Sequence, residues 1–289
     1  MTLRSLAMRI LLQEDLNFLL TNRLPRRLAT HAVGRIARVE HPLVARPALA
    51  AWRFFARPDL SDASTTCFAS LRDGFTRSLR PGARAFDPDP AVIANPCDAI
   101  VGAHGRIDGD ALYQVKGFPY RLGDLIPDPA LVDRFRDGRF VTLRLTAGMY
   151  HRFHAPSDLR VEGVTYLAGD CWNVNPIALK RVERLFCRNE RAVIEARIAG
   201  TDLPLLLVPV AAILVASIRL GFVDTAPMAR ALGAERRALD VAVAKGEEMG
   251  WFEHGSTIIC FVPGNVALAE GLREGAAIRA GEPIARMLG

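Results

Sequence analysis

The stretch Lys245-Gly246-Glu247-Glu248-Met249-Gly250-Trp251-Phe252-Glu253-His254-Gly255-Ser256-Thr257 runs directly into Ile258-Ile259-Cys260-Phe261-Val262. Glycines and charges give way there to an unbroken apolar run, the pattern of a turn entering a buried strand. Gly255 has no side chain to shield its own carbonyl and tolerates backbone geometries denied to other residues. The Gly255–Ser256 peptide can therefore hold strain beside a hydroxyl nucleophile. Taken alone, Gly-Ser-Thr is a common sequence and reads first as an ordinary β-turn entering the strand, so the rest of the chain has to decide.

Working outward, the sequence from about Ala91 to the end consists of short β-branched and aromatic runs separated by Gly, Asp and Pro. That texture predicts a mainly antiparallel β domain. The most apolar run, Leu203 to Ile218, falls short of the roughly 20 residues of a membrane span and is broken by Pro204 and Pro209, so it predicts two buried strands. Met228 to Ala244 reads as a helix ending at Gly246. The fold class is α+β: a mainly antiparallel β catalytic domain, 91–289, preceded by short amphipathic N-terminal helices, 1–57, and a connector, 58–90.

The N-terminal segment carries apolar residues at three- and four-residue steps (Leu3, Leu6, Ile10; Val33, Ile36, Val39, Leu43), and prolines 25, 42, 47 and 58 are expected to cut it into short helices. Ten arginines against Glu14, Asp15 and Glu40 give these 57 residues a balance of +7 in a chain of net charge +6, leaving the remainder near neutral. Arginines among leucines, with Trp52-Arg53-Phe54-Phe55, fit a helix lying in a membrane interface; a solvated helix face packed on the core is the bland alternative. No nucleic-acid reading motif is present, so nucleic acid is not an expected partner. Five cysteines without a C-x-x-C pair suggest neither a disulfide framework nor a zinc site and point to a reducing compartment. Glu14 and Asp15 interrupt the N-terminal apolar run, so no cleavable signal peptide is expected.

Three stretches supply what an activated serine requires. Asp98 follows Asn95-Pro96-Cys97, His151 and His154 lie in Tyr150-His151-Arg152-Phe153-His154-Ala155-Pro156, and Ser256 follows Gly255. A histidine oriented by a carboxylate is the usual means of taking a serine proton. Asp98 is also compatible with a simple turn cap, and the two histidines with metal ligation, for which no third ligand lies nearby.

These phrases, with Gly169-Asp170-Cys171-Trp172-Asn173-Val174-Asn175-Pro176 and Phe186-Cys187-Arg188-Asn189-Glu190-Arg191, stand in the order found in phosphatidylserine decarboxylases. From about Phe68 to Asn265 the chain resembles the bacterial, membrane-associated branch of that family. The resemblance implies self-processing: Ser256 attacks the Gly255 carbonyl, an N-to-O acyl shift gives an ester, and β-elimination and hydrolysis leave a pyruvoyl group made from Ser256. Residues 1–255 would form the β chain and 256–289 the α chain. By motif match His154 resembles the processing base, Asp98 its orienting partner, and His151 the proton donor of decarboxylation. A pyruvoyl ketone is an electron sink of the kind loss of carbon dioxide from an amino acid needs, and no metal or diffusible cofactor is required.

The implied reaction converts phosphatidylserine to phosphatidylethanolamine. The expected partners are an anionic phospholipid membrane, phosphatidylserine, the cleaved α and β chains and a second copy in a homodimer. The expected location is peripheral, on the cytoplasmic side of a bacterial cytoplasmic membrane. The same chemistry on another serine-headed lipid or a free amino acid is the nearest alternative. A non-processing lipid-binding homologue and a conventional serine hydrolase are the others. The sequence departs from the family at His254, where Leu is usual, at Ala99, where Gly is usual, and at Ala211 and Ala216, where Val210-Ala211-Ala212 and Val215-Ala216-Ser217 stand in place of the family's Val-Gly-Ala and Val-Gly-Ser.

Overall fold

The structure is a computed structural model, which describes residues 5, 13–23, 25–115, 118–213, 218–231, 233–253 and 256–288. Its strands in chain order are β1 Val92–Ala94, β2 Ala99–Arg106, β3 Ala111–Val115, β4 Phe118–Arg121, β5 Arg139–Leu145, β6 Arg152–His154, β7 Leu159–Leu167, β8 Arg191–Ile198, β9 Pro204–Ala211, β10 Ile218–Leu220, β11 Ala234–Val243, β12 Glu248–Phe252, β13 Ser256–Val262, β14 Val266–Leu268, β15 Ala277–Ile278 and β16 Pro283–Met287. Eight form one sheet in the order β11-β7-β8-β9-β13-β5-β2-β15, and every pairing in it is antiparallel. Two three-stranded sheets, β1-β16-β14 and β10-β12-β6, and the hairpin β3-β4 complete the β structure. With the helices before and between the strands, this is the α+β architecture the sequence predicts.

Apolar composition sets the order within the large sheet. β9 and β13 lack alternation because both of their faces are buried, and they occupy the centre. Short helices contribute Leu122, Phe135 and Leu179 to the same core, alongside Phe153, Phe186, Phe252 and Phe261. Pro209 lies within β9, where a missing N–H would ordinarily break a ladder; the β8 pairing skips Val208 and Pro209 and resumes at Val210.

Two local expectations are corrected. Met228 to Ala244 is not a helix: Thr225–Met228 makes one turn and Ala234–Val243 is strand β11, the edge partner of β7. Leu239, Val241 and Val243 repeat every second residue and face inward, so pairing along β7 overrides the helix propensity of Ala-Glu-Arg-Arg-Ala. Nor does Pro47 cut a helix; it sits inside the continuous helix Pro42–Ala56. Of the two strands predicted in Leu203–Ile218, β9 covers the first half and β10 begins at Ile218, with 214–217 outside the described residues.

The helix Pro42–Ala56 packs through a small cluster of its own, Leu49 and Trp52 against Phe75, and the helix Arg26–Ile36 is tied down by the Arg26–Asp170 ion pair at 2.6 Å. The Trp52 indole N–H donates to the Ala147 carbonyl at 2.8 Å. Leu19, Leu28, Ile36, Val39, Leu43, Phe54 and Phe55 remain exposed, so nearly all the large apolar side chains on the described surface belong to this segment. No described helix is long and apolar enough to cross a membrane.

Candidate active site

Ser256 is the first residue of β13, between Leu145 of β5 and Ala211 of β9. Its side chain is fully buried, and its Oγ has no hydrogen-bond partner among the described residues. A buried hydroxyl without a partner costs about 1–3 kcal/mol, so this atom does not stabilise the fold. His254 and Gly255, and with them the expected cleavage bond, lie outside the described residues.

His154 ends β6, carried by the small sheet β10-β12-β6. Its Nδ1 lies 2.9 Å from the Gly246 carbonyl and its Nε2 3.0 Å from the Tyr150 hydroxyl. A carbonyl only accepts, so Nδ1 carries the proton and Nε2 accepts from Tyr150. Burial holds the imidazole pKa below its ordinary value, against the Gly246 hydrogen bond and the charges of Glu248 and Asp98. The ring is therefore neutral, the state of a base. Gly246 has a positive φ of 83°, and a Cβ there would meet the Phe86 ring at 3.0 Å. Only glycine fits that turn without strain, and Phe86 also packs on the His154 ring at 5.7 Å between centroids.

Asp98 stands on the turn before β2, as expected, with its carboxylate fully engaged. Arg84 donates to it twice, from Nε at 2.8 Å and Nη2 at 2.5 Å, and the Ala280 N–H adds a third bond at 3.0 Å. Arg84 also reaches Asp62 at 2.8 Å, and these hydrogen bonds hold its guanidinium charged against burial. No hydrogen bond joins Asp98 to His154 among the described residues; the carboxylate acts on the imidazole through its charge.

His151 is fully buried, with the Phe75 ring edge-on to it at 5.3 Å. Glu253, two residues before Gly255, is buried and held by Arg38 at 2.9 Å and Arg72 at 3.2 Å. Arg38 follows an N-terminal helix, so that segment grips the chain next to the expected cleavage bond. Among the described residues no cluster of His, Cys, Asp and Glu is arranged to hold a metal. Of the departures from the family pattern, Ala99 opens β2 opposite Ile278 and Ala211 pairs directly with Ser256, both fully buried; His254 and Ala216 lie outside the described residues.

Two cavities flank this constellation. One of about 310 Å³ borders Arg77, Arg84, Asp98 and Tyr150. The other, about 330 Å³, borders Phe75, Leu145 of β5 and Ala212, the residue that follows β9. Sequence reasoning missed Arg84, Tyr150 and the Arg38–Glu253–Arg72 clamp. Tyr150 had a detectable signal, four residues before His154 in the same phrase, whereas Arg84 and Arg38 lie in segments without any.

The family model for phosphatidylserine decarboxylase matches residues 71–286. A phosphatidylserine decarboxylase proenzyme of Anaeromyxobacter sp. (strain K) is 36% identical over 272 residues, covering 90% of this chain and 94% of its own. The proteins of the same name from Halorhodospira halophila and Erwinia tasmaniensis are 37% and 33% identical, each alignment spanning more than nine-tenths of both chains. The sequence is thus that of a decarboxylase proenzyme class. This chain belongs to the phosphatidylserine decarboxylase family.

Proposed function

We propose that the chain cuts itself between Gly255 and Ser256, converts Ser256 into a pyruvoyl group, and then decarboxylates phosphatidylserine to phosphatidylethanolamine at an anionic membrane surface. The carrying observation is the buried Ser256 hydroxyl, without a partner at the start of a central strand. An atom consumed in forming a prosthetic group suits such a position, because no structural bond is lost when it leaves.

The chain's own residues divide the work. Ser256 Oγ attacks the Gly255 carbonyl carbon, and the ester forms as the C–N bond breaks and the amine takes a proton. Neutral His154 is the base for the hydroxyl proton, at Nε2, once Tyr150 gives up its hydrogen bond there. Asp98, fixed by Arg84, keeps a negative charge near the imidazolium that forms. When present, the pyruvoyl group supplies the electron sink for loss of carbon dioxide. His151 delivers the proton to the substrate α-carbon from its buried position beside Phe75.

Binding at the cytoplasmic face of the membrane is supported by the exposed Leu43, Phe54 and Phe55 among arginines. A cationic residue near anionic lipid contributes about 1 kcal/mol. Replacing Phe54 and Phe55 with serine is expected to weaken vesicle binding; unchanged binding at every salt concentration would rule out this face.

Intact-mass spectrometry of the purified protein is the test of the whole reading. A fragment starting at residue 256 with a pyruvoyl N-terminus, absent from Ser256→Ala, is the expected result. A folded chain of full mass that binds vesicles would replace this reading with a lipid-binding protein, and an acyl-enzyme on the intact chain with a hydrolase.

A further inference from the structure

Arg144 lies on β5 one residue before Leu145, the strand partner of Ser256, and pairs with Thr257. It is half-buried, yet it has no hydrogen bond or ion pair from its side chain to any described residue. Burial alone lowers its pKa, and no carboxylate offsets the effect. Buried charge is normally paired, as at Arg77 and Arg191, which are surrounded by carbonyls, and at Arg84, held by carboxylates.

The surroundings of Arg144 are built to take a ligand. It is the single charged residue lining the cavity of about 330 Å³ beside Ser256, whose other walls include Phe75, Val174 and Ile213. It also lines a smaller cavity of about 120 Å³ with Thr142, Thr257 and the exposed Glu274. Both threonines are almost completely buried, and neither hydroxyl has a hydrogen-bond partner among the described residues. One cation and two orphaned hydroxyls facing a space is the donor set for a tetrahedral oxyanion.

We propose that Arg144, with Thr142 and Thr257, binds the phosphodiester of the lipid headgroup and selects phosphorylated serine over serine itself. This rests on the decarboxylase reading above. The substrate also carries a carboxylate, but that group is the one expelled. A cation holding it would stabilise the ground state and lose its partner in the transition state. The phosphodiester keeps its charge throughout, so binding it costs nothing in the chemical step. Cleavage leaves Ser256 at the free end of β13, one residue from Thr257. A headgroup with its phosphate at Arg144 can thus bring its amine to that end, while the apolar walls receive the glycerol side.

Two measurements test this. In uncleaved Ser256→Ala protein, calorimetry with glycerophosphoserine as the probe should show binding that is lost when Arg144→Ala is added and partly kept in Arg144→Lys. In cleaved protein, kcat/KM is compared for lysophosphatidylserine and for a serine ether of equal chain length lacking phosphate. Their ratio should fall at least tenfold in Arg144→Ala, mostly through KM, with Arg144→Lys intermediate. An unchanged ratio, or equal losses on both substrates, overturns the assignment and leaves Arg144 structural. Inhibition of the wild type by inorganic phosphate with no movement of the ratio overturns it in favour of a free anion. Failure of the decarboxylase reading would look different: wild-type protein without the fragment from 256, or without carbon dioxide release from any serine lipid, whatever occupies position 144.

Discussion

Asp98 and Ser256 stand at opposite extremes of hydrogen-bond satisfaction. The carboxylate accepts three bonds, from both faces of the Arg84 fork and from the Ala280 N–H; the hydroxyl has none among the described residues. The same contrast extends to their neighbours. His154 uses both ring nitrogens, whereas Thr142 and Thr257 leave their buried hydroxyls unpaired. One half of the site is finished as structure. The other half holds polar atoms at a cost to stability, which folding alone does not explain and the proposed processing and headgroup binding would. Substitutions should therefore act with opposite sign in the two halves.

The largest effect is expected at the finished half. Arg84→Ala strands Asp98, whose side chain is 14% exposed, as an uncompensated charge, and breaking a pair so buried costs about 3 kcal/mol. Urea unfolding should show that loss, and the fraction of chain cleaved per hour should fall with it. Stability within about 0.5 kcal/mol of wild type would mean that water replaces Arg84 and that the half is not closed.

A smaller change of opposite sign is expected in the unfinished half. Thr142→Val keeps the shape of the side chain and removes a buried hydroxyl without a partner, so it should stabilise the fold by about 1 kcal/mol. For a chain of this size that raises Tm by roughly 2–4 °C. If the variant loses stability instead, the hydroxyl has a partner in the folded protein and the contrast between the halves is weaker than drawn.

The same contrast explains what the sequence disclosed. The α+β class was legible because strands such as β13 and β9 are continuous apolar runs closed by turn residues. Asp98, His151, His154 and Ser256 stood out as candidates because each sits inside a distinctive phrase. What pairs with them was not. Arg84 reaches Asp98 from a proline-rich connector, and Arg38 reaches Glu253 from 215 residues away; such partners are chosen by tertiary geometry and leave no local trace. Strand β11 was misread for a related reason. Ala234 to Ala238 prefers a helix by itself, and only the free edge of β7 makes it a strand. Arg144 was invisible in a different way, since what distinguishes it is a cavity shared with two unpaired threonine hydroxyls.

The smallest effect separates the halves by pH. Burial lowers the His154 pKa, so the unfolded chain binds a proton at this position at a higher pH than the folded chain does. Above about pH 6.5 both states are neutral here and His154 leaves stability unaffected. As pH falls below that value the unfolded state gains the proton first, and stability declines. The difference in unfolding free energy between wild type and His154→Gln should therefore change below the ordinary imidazole pKa and stay flat above it. Self-cleavage needs the neutral ring, so its rate should persist into mildly acidic solution and fall with a midpoint below the ordinary imidazole value. A midpoint above that value would require the imidazolium to be stabilised, by Asp98 turning toward it and away from Arg84. The two halves would then exchange partners during processing, and Arg84→Ala would speed the cleavage that it is expected here to slow.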